Sequence, residues 1–339
     1  MISVHELSLL REKAKELVYL GLRPNTRKTY SSAQRSYLDF CDTHQLCAIP
    51  ATEETVLLYV TYLYLHKLRY STVRVYLAAV RSLHIEAGLG NPLQYFLMVK
   101  QALRALQING EKPRQKLPIT LDILRDLHNT CDILQDGNML WAAMTMAFYG
   151  CLRASEFTTS VSFDSNIHLC NNDVTFGTIE NTPFMKVFIK RSKTDQSNKG
   201  FTINISCVPD ITCAVCAMHK YQSSKPLQNP TAPLFEFATG VPLKKTLFQK
   251  NLTLMLSFKN YPINEFSGHS LRIGSATTGA SVGLQDWEIK LLGRWTSDAY
   301  HRYIRASTPL LLQISKRLSN PAPLSQLYNY RNPYITNLI

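Results

Sequence analysis

The sequence predicts a mainly α-helical protein with a small antiparallel β-sheet, divided into an N-terminal helical bundle and a larger α+β domain. Apolar residues recur at helical spacing through residues 1–108. Two segments between residues 173 and 207 instead alternate with a period of two, as strands do. A stretch rich in proline and charge separates these regions, and a chain of 339 residues is long enough for two domains.

The first 108 residues are expected to form short helices joined by short loops. One helix is predicted to be capped by Asn25-Thr26 and to bury Tyr37 and Phe40 on its apolar face. Further helices are predicted over residues 52–65, from residue 71 onward and over residues 92–107. Residues 109–119 hold two prolines, a glycine and three basic residues, which is typical of a linker.

Positive charge is in excess along the whole chain. There are 37 Lys and Arg against 24 Asp and Glu, a formal net charge of +13. A folded surface facing a polyanion, most simply double-stranded DNA, accounts for this excess. The basic residues predicted to contact DNA are Arg27, Lys28, Arg35, Arg74 and Arg81 on the bundle and Lys112 and Arg114 in the linker. A solvated basic face explains any single one of them equally well.

The second domain, residues 120–319, is expected to begin with a short helix and a strongly apolar one ending near Gly150. The two strand segments flank residues 191–200, a basic connection that reads as a hairpin loop. Residues 320–339 hold prolines and asparagines and are predicted to be a tail, either mobile or ordered by a partner.

Two pairs of charged residues indicate which chemistry the second domain could perform. His269 and Arg272 lie three apart and share a helix face, where an imidazole beside a guanidinium suits phosphate oxygens. Arg153 and Glu156 are spaced for pairing on one helix face, with Arg153 expected to emerge from a core helix, although an ordinary surface salt bridge has the same spacing. Tyr303 follows in a segment rich in Arg and Tyr, and a tyrosine beside a bound phosphate is a possible nucleophile.

Cys213, Cys216 and His219, with Cys207 before them, are candidate zinc ligands. Their spacing matches no familiar zinc motif, so free thiols are preferred and neither a metal nor a cofactor is predicted. Eight irregularly spaced cysteines indicate reduced thiols of an intracellular protein. The N-terminal residues do not look like a signal peptide, and apolar runs fall short of the ~20 residues that a membrane span needs.

These motifs, in this order, resemble those of the tyrosine recombinases of the lambda-integrase type. Gly293-Arg294-Trp295 and residues 297–305 are most similar to the recombinases of eukaryotic DIRS-type and Crypton mobile elements. The resemblance implies a SAM-like core-binding domain and a catalytic domain of the DNA breaking-rejoining type. By the same resemblance, the catalytic residues are Arg153, Lys193, His269, Arg272, Trp295 and Tyr303, with Glu156 in support.

The family pattern leaves two positions open. Tyr303 lies eight positions after Trp295, where the family usually has nine, so Arg294 is an alternative for the aromatic slot and Tyr300 for the nucleophile. The resemblance implies site-specific cleavage and rejoining of DNA through a 3′-phosphotyrosyl link, by four protomers that exchange C-terminal helices on two duplexes. A catalytically silent DNA-binding protein and a type IB topoisomerase are the alternatives. The expected location is intracellular, and nuclear if the source is eukaryotic.

Overall fold

The computed structural model describes residues 4–111, 114–193, 195, 199–225, 229–305, 311–312 and 315–316. The chain divides into two compact units, residues 1–114 and residues 115–339. The fold class is confirmed: the described residues are mainly helical, with one three-stranded antiparallel sheet in the second unit. No helix among the described residues is both long enough and apolar enough to cross a membrane.

The first unit is built from helices alone in its described part. They are α1 (Val4–Leu20), α2 (Pro24–Thr43), α3 (Glu53–Leu65), α4 (Tyr70–Glu86) and α5 (Leu97–Asn109). Tyr37 and Phe40 of α2 are buried against Tyr59 of α3, as the helical spacing predicted. The predicted cap of α2 is wrong, because Arg23 is the cap residue and Pro24 opens the first turn, where its missing N–H costs nothing.

The second unit has one helix at its centre. Its elements are α6 (Leu121–Cys131), α7 (Gly137–Tyr149), α8 (Ala154–Phe157), β1 (Val174–Ile179), β2 (Thr182–Ile189), β3 (Phe201–Ser206), α9 (Ala214–Ser223), α10 (Lys245–Phe258), α11 (Ser270–Ser281) and α12 (Asp286–Gly293). Helix α7 is buried around nearly its whole circumference and packs against α6, α9 and α11. A helix that is apolar on all sides can only be stable inside a core.

The sheet has the strand order β1-β2-β3, with both pairings antiparallel. Met185, Val187 and Ile189 of β2 are buried, whereas Lys186 and Phe188 between them are exposed. This alternation is the one that the sequence predicted. The connection from β2 to β3 covers residues 190–200 and contains the buried Ser192; residues 194 and 196–198 within it lie outside the described part.

The chain enters the second unit along α11. The backbone N–H of Leu117 donates to the carbonyl of Glu265, and that of Ile119 donates to the carbonyl of Ser270. Ile119 is fully buried, and a Cβ at Gly274 would lie 1.7 Å from its carbonyl oxygen. Glycine at position 274 is therefore what allows this segment to lie directly against α11.

Several predicted features fall wholly or partly outside the described residues. Lys112 and the tail over residues 320–339 lie outside them. In the segment before that tail, the described residues 311, 312, 315 and 316 are helical, and Leu311 and Leu312 are exposed.

Candidate active site

A buried carboxylate organises the site. The side chain of Glu156 is fully buried and accepts hydrogen bonds from the backbone N–H of Arg153 (2.9 Å) and from its guanidinium (2.9 Å). Ser192 donates its hydroxyl to the same carboxylate at 2.8 Å, and Arg294 donates a guanidinium N–H at 3.1 Å. Four donors on two oxygens fully satisfy a charge that would otherwise be costly to bury.

The local backbone differs from the prediction for Arg153. Helix α7 ends at Tyr149, and Cys151 then takes a left-handed conformation with φ of 46°. Arg153 therefore does not extend from a core helix; it is the residue that begins the short helix α8, with Glu156 in that helix. The sharp turn at Cys151 aims the guanidinium of Arg153 back toward Ser192, which accepts one of its N–H groups at 3.2 Å.

Arg272 is fully buried in the first turn of α11. Its guanidinium donates to the carbonyl oxygen of Cys151 and, at 2.7 Å, to that of Gly293. Carbonyl groups at and just beyond the C-terminus of α7 carry partial negative charge, so they stabilise a cation there. The Nε of Arg272 has no hydrogen-bond partner among the described residues.

Two aromatic rings cover the Arg272 guanidinium. The Trp295 ring centroid lies 4.2 Å from its Cζ, and the Tyr303 ring centroid lies 5.5 Å away. These are cation–π distances. A Cβ at Gly293 would lie 1.6 Å from the Trp295 ring, so the glycine makes room for the indole at the end of α12.

Arg294 and Trp295 occupy different places, which bears on the ambiguity between them. Arg294 caps α12 in a left-handed conformation and reaches the carbonyl of Gly150 at 2.8 Å as well as Glu156. Trp295 instead contacts Arg272 and Tyr303. Of the two residues, Trp295 is the one whose side chain lies over the Arg272 guanidinium. Arg294 is a further site cation whose role the sequence did not suggest.

Tyr303 and Tyr300 are also separated by the fold. The ring of Tyr303 lies 5.1 Å from that of His269, and its carbonyl accepts the hydroxyl of Thr277 on α11 at 3.0 Å. Tyr300 is fully buried in a small cluster with Ile289, and burial together with a hydrogen bond to Asp286 raises the pKa of its phenol to about 12. Only Tyr303 of the two contacts Arg272 or His269 among the described residues.

The site carries an excess of positive charge. The described contacts gather the guanidinium groups of Arg153, Arg272 and Arg294 around the single carboxylate of Glu156. Burial and then the neighbouring Arg272 and Arg153 lower the pKa of His269 to about 4. The imidazole is therefore neutral at pH 7, when it can accept a proton or a hydrogen bond. A site of this charge suits an anion such as a phosphodiester.

Lys193 differs from the other predicted catalytic residues because it is exposed on the connection between β2 and β3. No described contact joins its side chain to the buried cluster. Its neighbour Ser192 is 4% exposed and hydrogen-bonded to Glu156, so the start of this connection is held at the site. Ser192 was not anticipated from the sequence, and neither were the charges of Lys245 and Arg305, which lower the pKa of His269.

The predicted DNA-binding residues outside this cluster lie on the surface in the described part. Arg35, Arg74, Arg81 and Lys28 on the bundle and Arg114 in the linker are exposed, and Arg27 is half-buried with its guanidinium over the Tyr19 ring. Free thiols are found at all eight cysteines. Three of them, Cys207, Cys213 and Cys216, lie close enough together to hold a metal ion.

Solved structures with the same architecture are site-specific recombinases and integrases. A XerH site-specific recombinase bound to a palindromic difH substrate has a TM-score of 0.61 at 14% identity, over 86% of this chain and 80% of its own. The Tn1549 transposon integrase in complex with transposon right-end DNA has 0.59 at 13% identity, over 88% and 95%. A lambda integrase dimer bound to a COC′ core site has 0.57 at 14% identity, over 88% and 94%. At such low identities the likeness establishes the fold.

The sequence itself is similar to one curated protein of the same class. It is 29% identical over 310 residues to the integrase/recombinase xerD homolog of Selenomonas ruminantium, covering 86% of this chain and 84% of that protein. No protein-family model matches the sequence. The chain is therefore similar in sequence to a recombinase, and it shares the fold of site-specific recombinases and integrases.

Proposed function

We propose that this protein cleaves and rejoins DNA at specific sites through a covalent 3′-phosphotyrosyl intermediate on Tyr303. The observation that carries the proposal is the position of Tyr303, whose ring lies over Arg272 and beside His269. The similarity to a recombinase over most of both chains supports the same activity. Structural neighbours solved in complex with DNA, and the net charge of +13, support duplex DNA as the substrate.

Attack by the Tyr303 oxygen on phosphorus forms an O–P bond, breaks the bond to the 5′ oxygen and leaves a 3′-phosphotyrosyl ester. Negative charge builds on the two non-bridging oxygens during this step. Arg153, Arg272 and the indole N–H of Trp295 are the donors proposed to stabilise that charge where it develops. Because His269 is neutral at pH 7, it is able to take the phenolic proton.

The departing 5′ oxygen needs a proton, and Lys193 is the proposed donor. Its neighbour Ser192 is tied to Glu156, whereas Lys193 itself is exposed. An exposed lysine next to a fixed anchor is free to approach a DNA backbone laid across the site. The phosphotyrosyl ester conserves the energy of the phosphodiester, so a second DNA end rejoins by the reverse reaction.

The decisive experiment uses a suicide substrate, a nicked duplex from which the cleaved fragment diffuses away. The unchanged chain should accumulate a covalent protein–DNA adduct, and Tyr303→Phe should form none. Tyr300→Phe is the matched control, because its ring is buried away from Arg272, and it should retain the adduct. An adduct that persists in Tyr303→Phe and disappears in Tyr300→Phe would transfer the role to Tyr300.

The same substrate distinguishes the alternative functions. A chain that binds duplex DNA but forms no adduct would be a catalytically silent binding protein. Relaxation of supercoiled DNA without joining of a second duplex would indicate a topoisomerase-like enzyme. Joining of two duplexes is the result that recombination requires.

At a finer level, we propose a recombinase of a eukaryotic mobile element of the DIRS or Crypton type. The support is the sequence Gly293-Arg294-Trp295 together with the Tyr-rich segment over residues 297–305. Mapping the cleaved phosphates on genomic DNA that flanks the gene would test this origin. Cleavage positions at the ends of a repeated element support it, and a single chromosomal site would contradict it.

We further propose that four protomers act on two duplexes and exchange their C-terminal helices. The exposed, helical Leu311 and Leu312 provide an apolar face for such a contact. Leu311→Asp with Leu312→Asp should lower the mass of the DNA-bound assembly in sedimentation while leaving single-site DNA binding intact. An unchanged assembly would refute the exchange. Since chromosomal DNA is the proposed substrate, the proposed location is intracellular, and nuclear in a eukaryotic source, which a fluorescent fusion would test.

A further inference from the structure

Three cysteines converge where β3 meets α9, away from the cluster around Glu156. Cys207 directly follows β3, Cys213 is the cap residue of α9, and Cys216 lies in the first turn of that helix. The Sγ atom of Cys207 lies 3.5 Å from that of Cys213 and 3.7 Å from that of Cys216. Two thiolates on one tetrahedral Zn²⁺, each at about 2.3 Å, are about 3.8 Å apart. The thiols thus already have the spacing of ligands.

The backbone around Cys213 is arranged to support a thiolate. The N–H groups of Val208 and Cys216 both point at its Sγ, each at 3.4 Å. Donors aimed at sulfur favour its charged form, which is the form that binds metals. Although the full set of residues matches no familiar zinc motif, the pair Cys213-x-x-Cys216 by itself has a spacing that ligand pairs of structural zinc sites use.

The loop between Cys207 and Cys213 is held by its own contacts. The carboxylate of Asp210 accepts the backbone N–H of Thr212 at 2.9 Å and its hydroxyl at 2.6 Å. Arg125 of α6 donates two further hydrogen bonds to it, at 2.8 and 3.1 Å. These anchors fix the loop in the conformation that brings the three thiols together, so little ordering remains for a metal to impose.

We propose that Cys207, Cys213 and Cys216 bind one Zn²⁺ as thiolates, with water in the fourth, solvent-facing position. Cys216 is exposed and Cys207 is half-buried, which gives the ion access from solvent. Binding releases the three thiol protons to solvent. His219, considered as a ligand from its spacing, is not part of the set, because its exposed ring stacks on Phe176 at 3.8 Å.

The metal would tie the end of the sheet to the helical core. Strand β3 pairs with β2, and β2 leads into Ser192, which is bound to Glu156. Helix α9 packs against the central helix α7. A Zn²⁺ joining Cys207 to Cys213 and Cys216 therefore stabilises the attachment of the strands that hold the connection bearing Lys193.

The test begins with the full chain purified under reducing conditions without chelator. Elemental analysis should find one equivalent of zinc, and replacement by Co²⁺ should give the visible bands of a tetrahedral thiolate site. Cys207→Ser, Cys213→Ser and Cys216→Ser should each lose the bound equivalent. Two controls should keep it: Cys47→Ser, which removes an exposed cysteine of the first unit, and His219→Ala.

A second measurement does not depend on the variants folding. Zn²⁺ added to the reduced, metal-free chain should be retained in competition with a chromogenic chelator and should raise the melting temperature of the second unit. No retained zinc, or a Cys207–Cys213 disulfide in place of reduced thiols, would overturn the proposal. Metal kept by all three cysteine variants would overturn it too. Loss of metal in His219→Ala would mean that His219, and not water, is the fourth ligand, and this result would refute the assigned ligand set.

Discussion

Replacing Glu156 by glutamine tests whether the buried carboxylate holds the site together. Glu156→Gln keeps the shape of the side chain but turns one of its two acceptor oxygens into a donor. The four donors that now reach this carboxylate come from Arg153, Ser192 and Arg294. About two of those hydrogen bonds are lost, because the new amide nitrogen cannot accept them. The N–H groups of the glutamine amide then face the donors of Arg153, Ser192 and Arg294. The guanidinium charges of Arg153 and Arg294 also lose their shared counter-charge.

The magnitude follows from typical values for such groups. A hydrogen bond to a charged partner contributes about 1.5–3 kcal/mol, and breaking a buried ion pair costs about 3–5 kcal/mol. We therefore expect Glu156→Gln to lower the free energy of unfolding by roughly 3–5 kcal/mol. In a unit of this size, that corresponds to a fall in Tm of roughly 6–20 °C.

Tryptophan fluorescence is the assay, because all three tryptophans, Trp141, Trp287 and Trp295, belong to the second unit. Asp122→Asn is the control: Asp122 also pairs with an arginine, but its side chain is 89% exposed. Exposed pairs contribute little, so its Tm should hardly change. Removing both partners should cost less than the sum of the single changes, so Glu156→Gln with Arg294→Met should be sub-additive. A Tm for Glu156→Gln equal to that of the control would refute the reasoning.

Three further predictions concern single groups. The imidazole of His269 should titrate near pH 4 by NMR in the folded chain, against about 6.5 when unfolded. Because the unfolded state then binds more protons than the folded state, the contribution of His269 to stability should fall as the pH drops from about 6.5 to 4. An NMR titration midpoint near 6.5 in the folded chain would contradict this prediction. Gly274→Ala should destabilise the second unit by about 2 kcal/mol or more, despite alanine's helix preference, because its Cβ meets the Ile119 carbonyl. Gly90→Ala, whose Cβ would meet nothing within 4 Å, should be nearly neutral by circular dichroism, and equal effects would disprove the contact. Lys193→Ala should slow cleavage of an ordinary substrate but not of one with a 5′-thio leaving group, which needs no acid; failure of that rescue would remove its proposed role.

Local sequence patterns predicted much of this fold, because the side chains that share one face of a helix or strand lie only a few residues apart in the sequence. The alternation of Met185, Val187 and Ile189 identified β2, since side chains on a strand alternate between its faces. The helical spacing of Tyr37 and Phe40 predicted a buried helix face, and the apolar sequence of α7 predicted a buried helix. His269 and Arg272 lie close together because one helical turn brings them together.

The remaining contacts depend on residues far apart in the sequence. Glu156 is hydrogen-bonded to Arg294, 138 positions away in the sequence, and to Ser192, 36 positions away. No local sequence pattern predicts contacts between residues so far apart. Helical spacing relates Cys213, Cys216 and His219, whereas the third thiol of the group, Cys207, comes from the end of β3. The sharp turn at Cys151 was missed because nothing in its sequence requires a left-handed residue there.

The aromatic cover over Arg272 has a consequence for the resting protein. Under the proposed chemistry, the Tyr303 ring occupies the space through which a phosphate must reach that guanidinium. The Tyr303 side chain, which is the proposed nucleophile, thus also blocks access to Arg272. DNA has to displace the Tyr303 ring before the phosphate can be attacked. In the free protomer, the cation–π contact of Tyr303 would therefore compete with a DNA phosphate for the guanidinium of Arg272.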